Sequence, residues 1–191
     1  MVEPDAVAAP FFVAAGLLAV AGFAKLRDPV PLARTLAAVG LPQGRLLARA
    51  LGGCEVCVGV LALTYPRPST ALALASMYAS FAAFLAYLIA RRIPVSSCGC
   101  LGQRDTPPTV LHVVLNLGAV GTAVAAALSP ISGLLTYVLE LSYIAVPFLL
   151  GCAAAGYLLY LTVAYLPTVF LAFDQKRQPL MSAIDGRERS Q

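Results

Sequence analysis

The chain has 191 residues, 60% of them hydrophobic and only 12% charged, with a mean hydropathy of +0.84. A water-soluble domain of this size carries about a quarter charged residues, so the composition excludes one and indicates an integral membrane protein. The net charge of +4 is not a nucleic-acid signal, because the basic residues sit at the ends of apolar segments, where Lys and Arg set membrane orientation.

The N-terminus reads Met1-Val2-Glu3-Pro4-Asp5, acidic where a cleavable signal peptide would be basic. The apolar run over 6–24 is therefore expected to stay in place as a first spanning helix, about 20 residues being enough to cross the hydrocarbon core. Gly16 and Gly22 lie on it, small enough to admit a neighbouring helix. Lys25-Leu26-Arg27-Asp28-Pro29 closes it with a cationic stop and a proline. Residues 28–45 are semi-polar, and Pro31 to Val39 suits a short helix on the membrane surface. A second span is expected from about Leu46 to Leu63, stopped by Tyr65-Pro66-Arg67-Pro68. A third covers 69–90 and ends in Arg91-Arg92-Ile93-Pro94. After a polar loop, a proline in the first turn opens a fourth span from about Pro108 to Leu128. The apolar tract from Ile131 to Phe173 offers no polar turn for a hairpin. It reads as a short interfacial helix over 131–141 containing Glu140, then a fifth span from about Tyr143 to Phe173.

The expected fold is all-α: a four-helix transmembrane bundle over 1–130, an interfacial helix and fifth transmembrane helix over 131–173, and a polar cytoplasmic tail over 174–191. Of 13 basic residues, all but Arg67 fall in the first connection, the third connection and the tail. By the positive-inside rule this puts the N-terminus outside, and the C-terminus and the third connection on the cytoplasmic side, of a cell (inner or plasma) membrane.

Chemistry concentrates at sulfur. The third connection contains Ser96-Ser97-Cys98-Gly99-Cys100-Leu101-Gly102. In a C-x-C unit, Gly99 can take φ > 0 and fold the chain back on itself. Such a pair can close a small, readily reduced disulfide ring or offer two thiolates to a soft metal. A second pair, Cys54 and Cys57, lies within the second span. At i and i+3 the two share a face, so both could point into one crevice; as plain filler, buried free cysteine is also common. Glu55 between them is the costliest residue to place in a membrane and should face the bundle interior with a partner. Lys25 is the nearest candidate in chain order. Glu55 could be a packing ion pair, a proton acceptor beside the thiols, or both. His112 and Asn116, four apart on the fourth span, are placed to line the same cavity. Cys152 in the fifth span is explained by packing. No sequence cluster has closed zinc-site spacing, no cofactor motif is evident, and no residue identifies a quinone site, although a quinone is a possible electron acceptor.

These features together resemble a known family. The first-span ending from Gly22 to Pro29, Glu55 followed by Gly59, the Cys98-to-Gly102 loop and the His112…Asn116 pair resemble the MauE branch of the DoxX-like membrane proteins, over about residues 10–128. The resemblance implies a four-helix bundle, thioredoxin-like partners, and thiol–disulfide chemistry supporting disulfide formation or protein maturation, in the setting of methylamine utilisation. The Cys54/Cys57 pair, the fifth span and the tail lie outside what it implies.

The resulting expectation is a membrane thiol–disulfide redox protein. Cys98 and Cys100 exchange electrons with a thioredoxin-like or other soluble oxidoreductase. Cys54 and Cys57 form an internal pair that relays electrons across the bundle, and Glu55, Lys25, His112 and Asn116 tune protonation. Two other classes compete: a soft-metal (Cu, Zn or Hg) carrier using all four cysteines, and a non-catalytic membrane scaffold for a soluble oxidoreductase.

Overall fold

The computed structural model describes residues 4–41, 44–93, 95, 108–129, 131–162 and 165. Cys98 and Cys100 therefore lie outside the described residues. All regular structure among those residues is helical: α1 Pro4–Arg27, α2 Val30–Ala38, α3 Gly44–Thr64, α4 Pro68–Ala90, α5 Val110–Leu128 and α6 Leu134–Leu141. A 3₁₀ turn, Ser142–Ile144, then leads into α7 over 145–162. Among the described residues, five stretches are long and apolar enough to cross a membrane, with α6 through α7 counting as one.

The bundle grows from two tightly packed helix pairs, α1 with α3 and α4 with α5, joined through α1–α5 and α3–α4 contacts. The first pair depends on small residues. A Cβ added at Gly22 would lie 2.5 Å from the Gly52 carbonyl oxygen, and one at Gly59 would lie 2.8 Å from that of Ala15. With little hydrophobic drive between helices in lipid, close backbone approach is what holds such a pair together. Gly16 takes no part, since a Cβ there meets nothing within 4 Å.

The core gathers Phe11, Phe12 and Leu18 of α1, Ala62 of α3, Leu74 of α4 and Ala123 of α5, all buried. Tyr78 ties α4 to α1 by donating its hydroxyl to the Ala14 carbonyl at 2.7 Å. α6 is drawn into this core: Tyr137 is buried and packs edge-on to Phe12 at 5.7 Å and beside Phe148 at 5.3 Å, while Glu140 is exposed.

The short amphipathic α2 buries Leu32, Thr35 and Leu36, and its two leucines pack against Ala48 and Leu51 of α3 and Phe84 of α4. Its end is closed by Gly40 at φ +83°, with Leu41 N–H donating to the Leu36 carbonyl at 3.0 Å and Gly40 N–H to that of Ala37 at 3.0 Å. That is the two-bond Schellman closure, in which glycine avoids the Cβ penalty. α4 ends in the same closure, Ile93 N–H to Leu88 and Arg92 N–H to Ile89, both at 3.1 Å. There the left-handed position belongs to Arg92, at φ +50°.

α5 starts two residues later than its proline suggests. Thr109, extended at φ −126° and ψ 162°, is the N-cap, and Pro108 stands outside the helix. Thr109 is followed three residues later by His112, the spacing of a capping box with histidine in the place of Glu or Gln. The first four spans alternate in direction. The α1–α3 connection holding α2 and the α4–α5 connection holding the C-x-C sequence therefore leave the bundle at the same end.

Candidate functional site

Glu55 comes to α1 through helical periodicity. Gly52, Glu55 and Gly59 are spaced to fall on one face of α3, and that face abuts α1. Glu55 is fully buried there and Lys25 is 4% exposed, with Lys25 Nζ donating to Glu55 Oε2 at 2.6 Å. The same ammonium lies 5.5 Å from the centroid of the Phe81 ring on α4, within cation–π range. Glu55 Oε1 is buried without a hydrogen-bond partner among the described residues.

The same periodicity turns the neighbouring cysteines away. At 100° per residue, Cys54 lies about 100° and Cys57 about 160° round α3 from Glu55, and both are exposed with free thiols. They share a side of the helix, as their spacing requires, but it is the outward side. The expected crevice pair inside the bundle is thus corrected, and with it the internal relay through Cys54 and Cys57. The information was in the sequence: glycines three before and four after Glu55 define the packed face.

His112 lies in the first turn of α5 and is 2% exposed. Its Nδ1 accepts the Thr109 backbone N–H at 3.3 Å, and the Thr109 hydroxyl lies 2.8 Å from the same nitrogen. With Nδ1 accepting, the proton of the neutral ring belongs on Nε2. That nitrogen is buried and has no hydrogen-bond partner among the described residues. Asn116, one turn on, donates Nδ2 to the His112 carbonyl at 2.6 Å, which fixes the amide orientation and leaves Oδ1 as an acceptor.

A cavity of about 990 Å³ brings these groups together. Lys25, His112 and Asn116 all line it, amid a wall that is otherwise largely apolar and supplied by α1, α2, α4, α5 and α7 with Leu51 of α3. Lys25 is in the last turn of α1 and His112 in the first turn of α5, so both stand at the end of the bundle where the C-x-C connection is rooted. Cys152 also lines the cavity, half-buried. Sequence reasoning found His112 but not its cap, because a His at the third helical position is an unusual partner in that motif.

The family model described as "Methylamine utilisation protein MauE" matches residues 5–130. The chain belongs to the MauE family. It is a multi-pass membrane protein of that methylamine-utilisation family, and the match takes in α1 through α5 with the whole Lys25–Glu55–His112 region. In this MauE protein α6 and α7 lie beyond the matched stretch, although α7 supplies part of the cavity wall. No curated protein and no solved structure matches the chain.

Proposed function

We propose that this MauE protein, of DoxX-like type, is a membrane thiol–disulfide exchanger whose working pair is Cys98 and Cys100. Residues 1–130 are the working unit, 131–173 an appended helical segment and 174–191 a tail. The partner is a thioredoxin-like protein bearing a dithiol. One partner thiolate attacks the Cys98–Cys100 disulfide, giving a mixed disulfide and one free thiol here. The second partner thiolate then attacks the partner sulfur of the mixed disulfide and displaces the remaining cysteine thiolate of this protein. The partner leaves as a disulfide, and two electrons and two protons have passed to Cys98 and Cys100.

The observation that supports this reading is the common end of the bundle. The connection carrying Cys98 and Cys100 leaves α4 and enters α5 beside a buried ammonium–carboxylate pair and a buried imidazole. Groups able to hold or pass a proton at that end suit a reaction that creates and consumes thiolates. The four-cysteine metal carrier is disfavoured, because Cys54 and Cys57 face away from the interior. A non-catalytic scaffold would tolerate loss of the C-x-C thiols.

Capture separates these readings. The full-length Cys100→Ser protein, presented with a reduced thioredoxin-like protein lacking its own resolving cysteine and a mild oxidant, should accumulate a covalent complex through Cys98 that dithiothreitol releases. Equal complex formation by the Cys98→Ser, Cys100→Ser double variant would overturn the assignment.

A further inference from the structure

The cavity has a chemistry of its own. Its walls are apolar, contributed by Val13 and Leu17 of α1, Phe84 of α4, Ala119 of α5 and Leu159 of α7. At about 990 Å³ it is at the top of the range for small-molecule sites. The polar lining near the α5 N-terminus is of a particular kind. The Thr109 cap holds Nδ1 of His112 as an acceptor and so leaves Nε2 as a buried donor without a partner among the described residues. An unmet buried donor costs about 1–3 kcal/mol, a cost that a carbonyl oxygen would offset. Asn116 Oδ1, one turn deeper, offers an acceptor to a hydroxyl. A molecule with an oxygenated ring and a long apolar tail fits both halves.

We propose that this cavity is a binding site for a membrane quinone, its ring carbonyl accepting from His112 Nε2 and its isoprenoid tail lying along the α1, α5 and α7 walls. The geometry of the cavity carries this proposal independently of the thiol reading. If both hold, a bound quinone would take two electrons and two protons from a Cys98/Cys100 dithiol, yielding a disulfide and a hydroquinone; that step alone rests on the thiol reading.

The chain contains no tryptophan, so one placed in the wall reports directly. Leu159→Trp lines the cavity, whereas Val60→Trp lies on the exposed side of α3 and serves as the lipid control. With the full-length protein in phospholipid nanodiscs and decylubiquinone as probe, quenching should saturate at position 159 and rise only linearly at position 60. On the Leu159→Trp background, His112→Leu should weaken binding about tenfold, the loss of one neutral hydrogen bond. His112→Gln, which keeps an N–H donor, should lose less. Because His112 also caps α5, Cys152→Phe provides a second variant: it fills the cavity from α7 without touching the cap, and should abolish saturation. Replacing both Cys98 and Cys100 by Ser should leave binding unchanged, so failure of the thiol reading would not mimic failure of this one. Linear quenching at both positions would overturn the proposal. So would equal saturation by decylbenzene, which would make the occupant any apolar chain, including a lipid acyl tail.

Discussion

Lys25 and Glu55 exemplify a residue pair whose value lies in being matched. Replacing either alone strands the other charge inside the bundle, and breaking a buried ion pair in this way costs about 3–5 kcal/mol. We expect Lys25→Met or Glu55→Leu alone to lower the unfolding midpoint sharply in detergent, and the Lys25→Met, Glu55→Leu double variant to recover most of it. A double variant as unstable as the sum of the two would show that the residues act independently. Arg92 is a second residue-scale test. It holds a left-handed conformation at φ +50° without being glycine, a cost of about 1–2 kcal/mol. Arg92→Gly should therefore raise the thermal midpoint, and an unchanged or lower midpoint would contradict the strain. At this scale the sequence was partly legible. A carboxylate in a membrane span demands a partner, and the nearest cation was the right one. The histidine cap was not legible, because its geometry emerges only once Pro108 is excluded from the helix.

Helices carry the next level of the argument. The α1–α3 contact relies on Gly22, Gly52 and Gly59, and a methyl at Gly22 would overlap the Gly52 carbonyl. Gly22→Ala should destabilise by about 1–3 kcal/mol, the usual cost of overpacking. Gly16→Ala, with open space around its Cβ, should be neutral or slightly stabilising through helix propensity. Equal behaviour of the two variants, read from thermal unfolding, would refute the close-packed face. Span positions were readable from hydropathy because length and apolarity alone determine them. The direction of Cys54 and Cys57 was missed for a physical reason: C-x-x-C spacing says that two residues share a side of a helix, never which side. The glycines flanking Glu55 carry that second piece of information. In the last apolar tract, α6 ends at Leu141 and a 3₁₀ turn at Ser142–Ile144, with Ser142 at φ +52°, precedes α7.

For the whole molecule, the five candidate spans lead us to expect the two termini on opposite sides of the membrane. The connections holding Lys25, Arg27, Arg34, Arg91 and Arg92 share one end of the bundle, with Arg67 at the other. We expect that basic end, with Cys98 and Cys100, to face the cytoplasm. An impermeant maleimide added to intact cells should leave both thiols unlabelled until the membrane is opened, and labelling from outside would reverse the orientation.

The measurement that bears most directly on the account is a thiol count through one redox cycle. Purified full-length protein is equilibrated in reducing and then oxidising glutathione buffer, denatured, and alkylated with a mass-tagged maleimide. Two tags should be lost on oxidation, both from Cys98 and Cys100, with the loss preserved in a Cys54→Ser, Cys57→Ser variant and absent from Cys98→Ser, Cys100→Ser. Loss that survives removal of Cys98 and Cys100, or vanishes with Cys54 and Cys57, would contradict it.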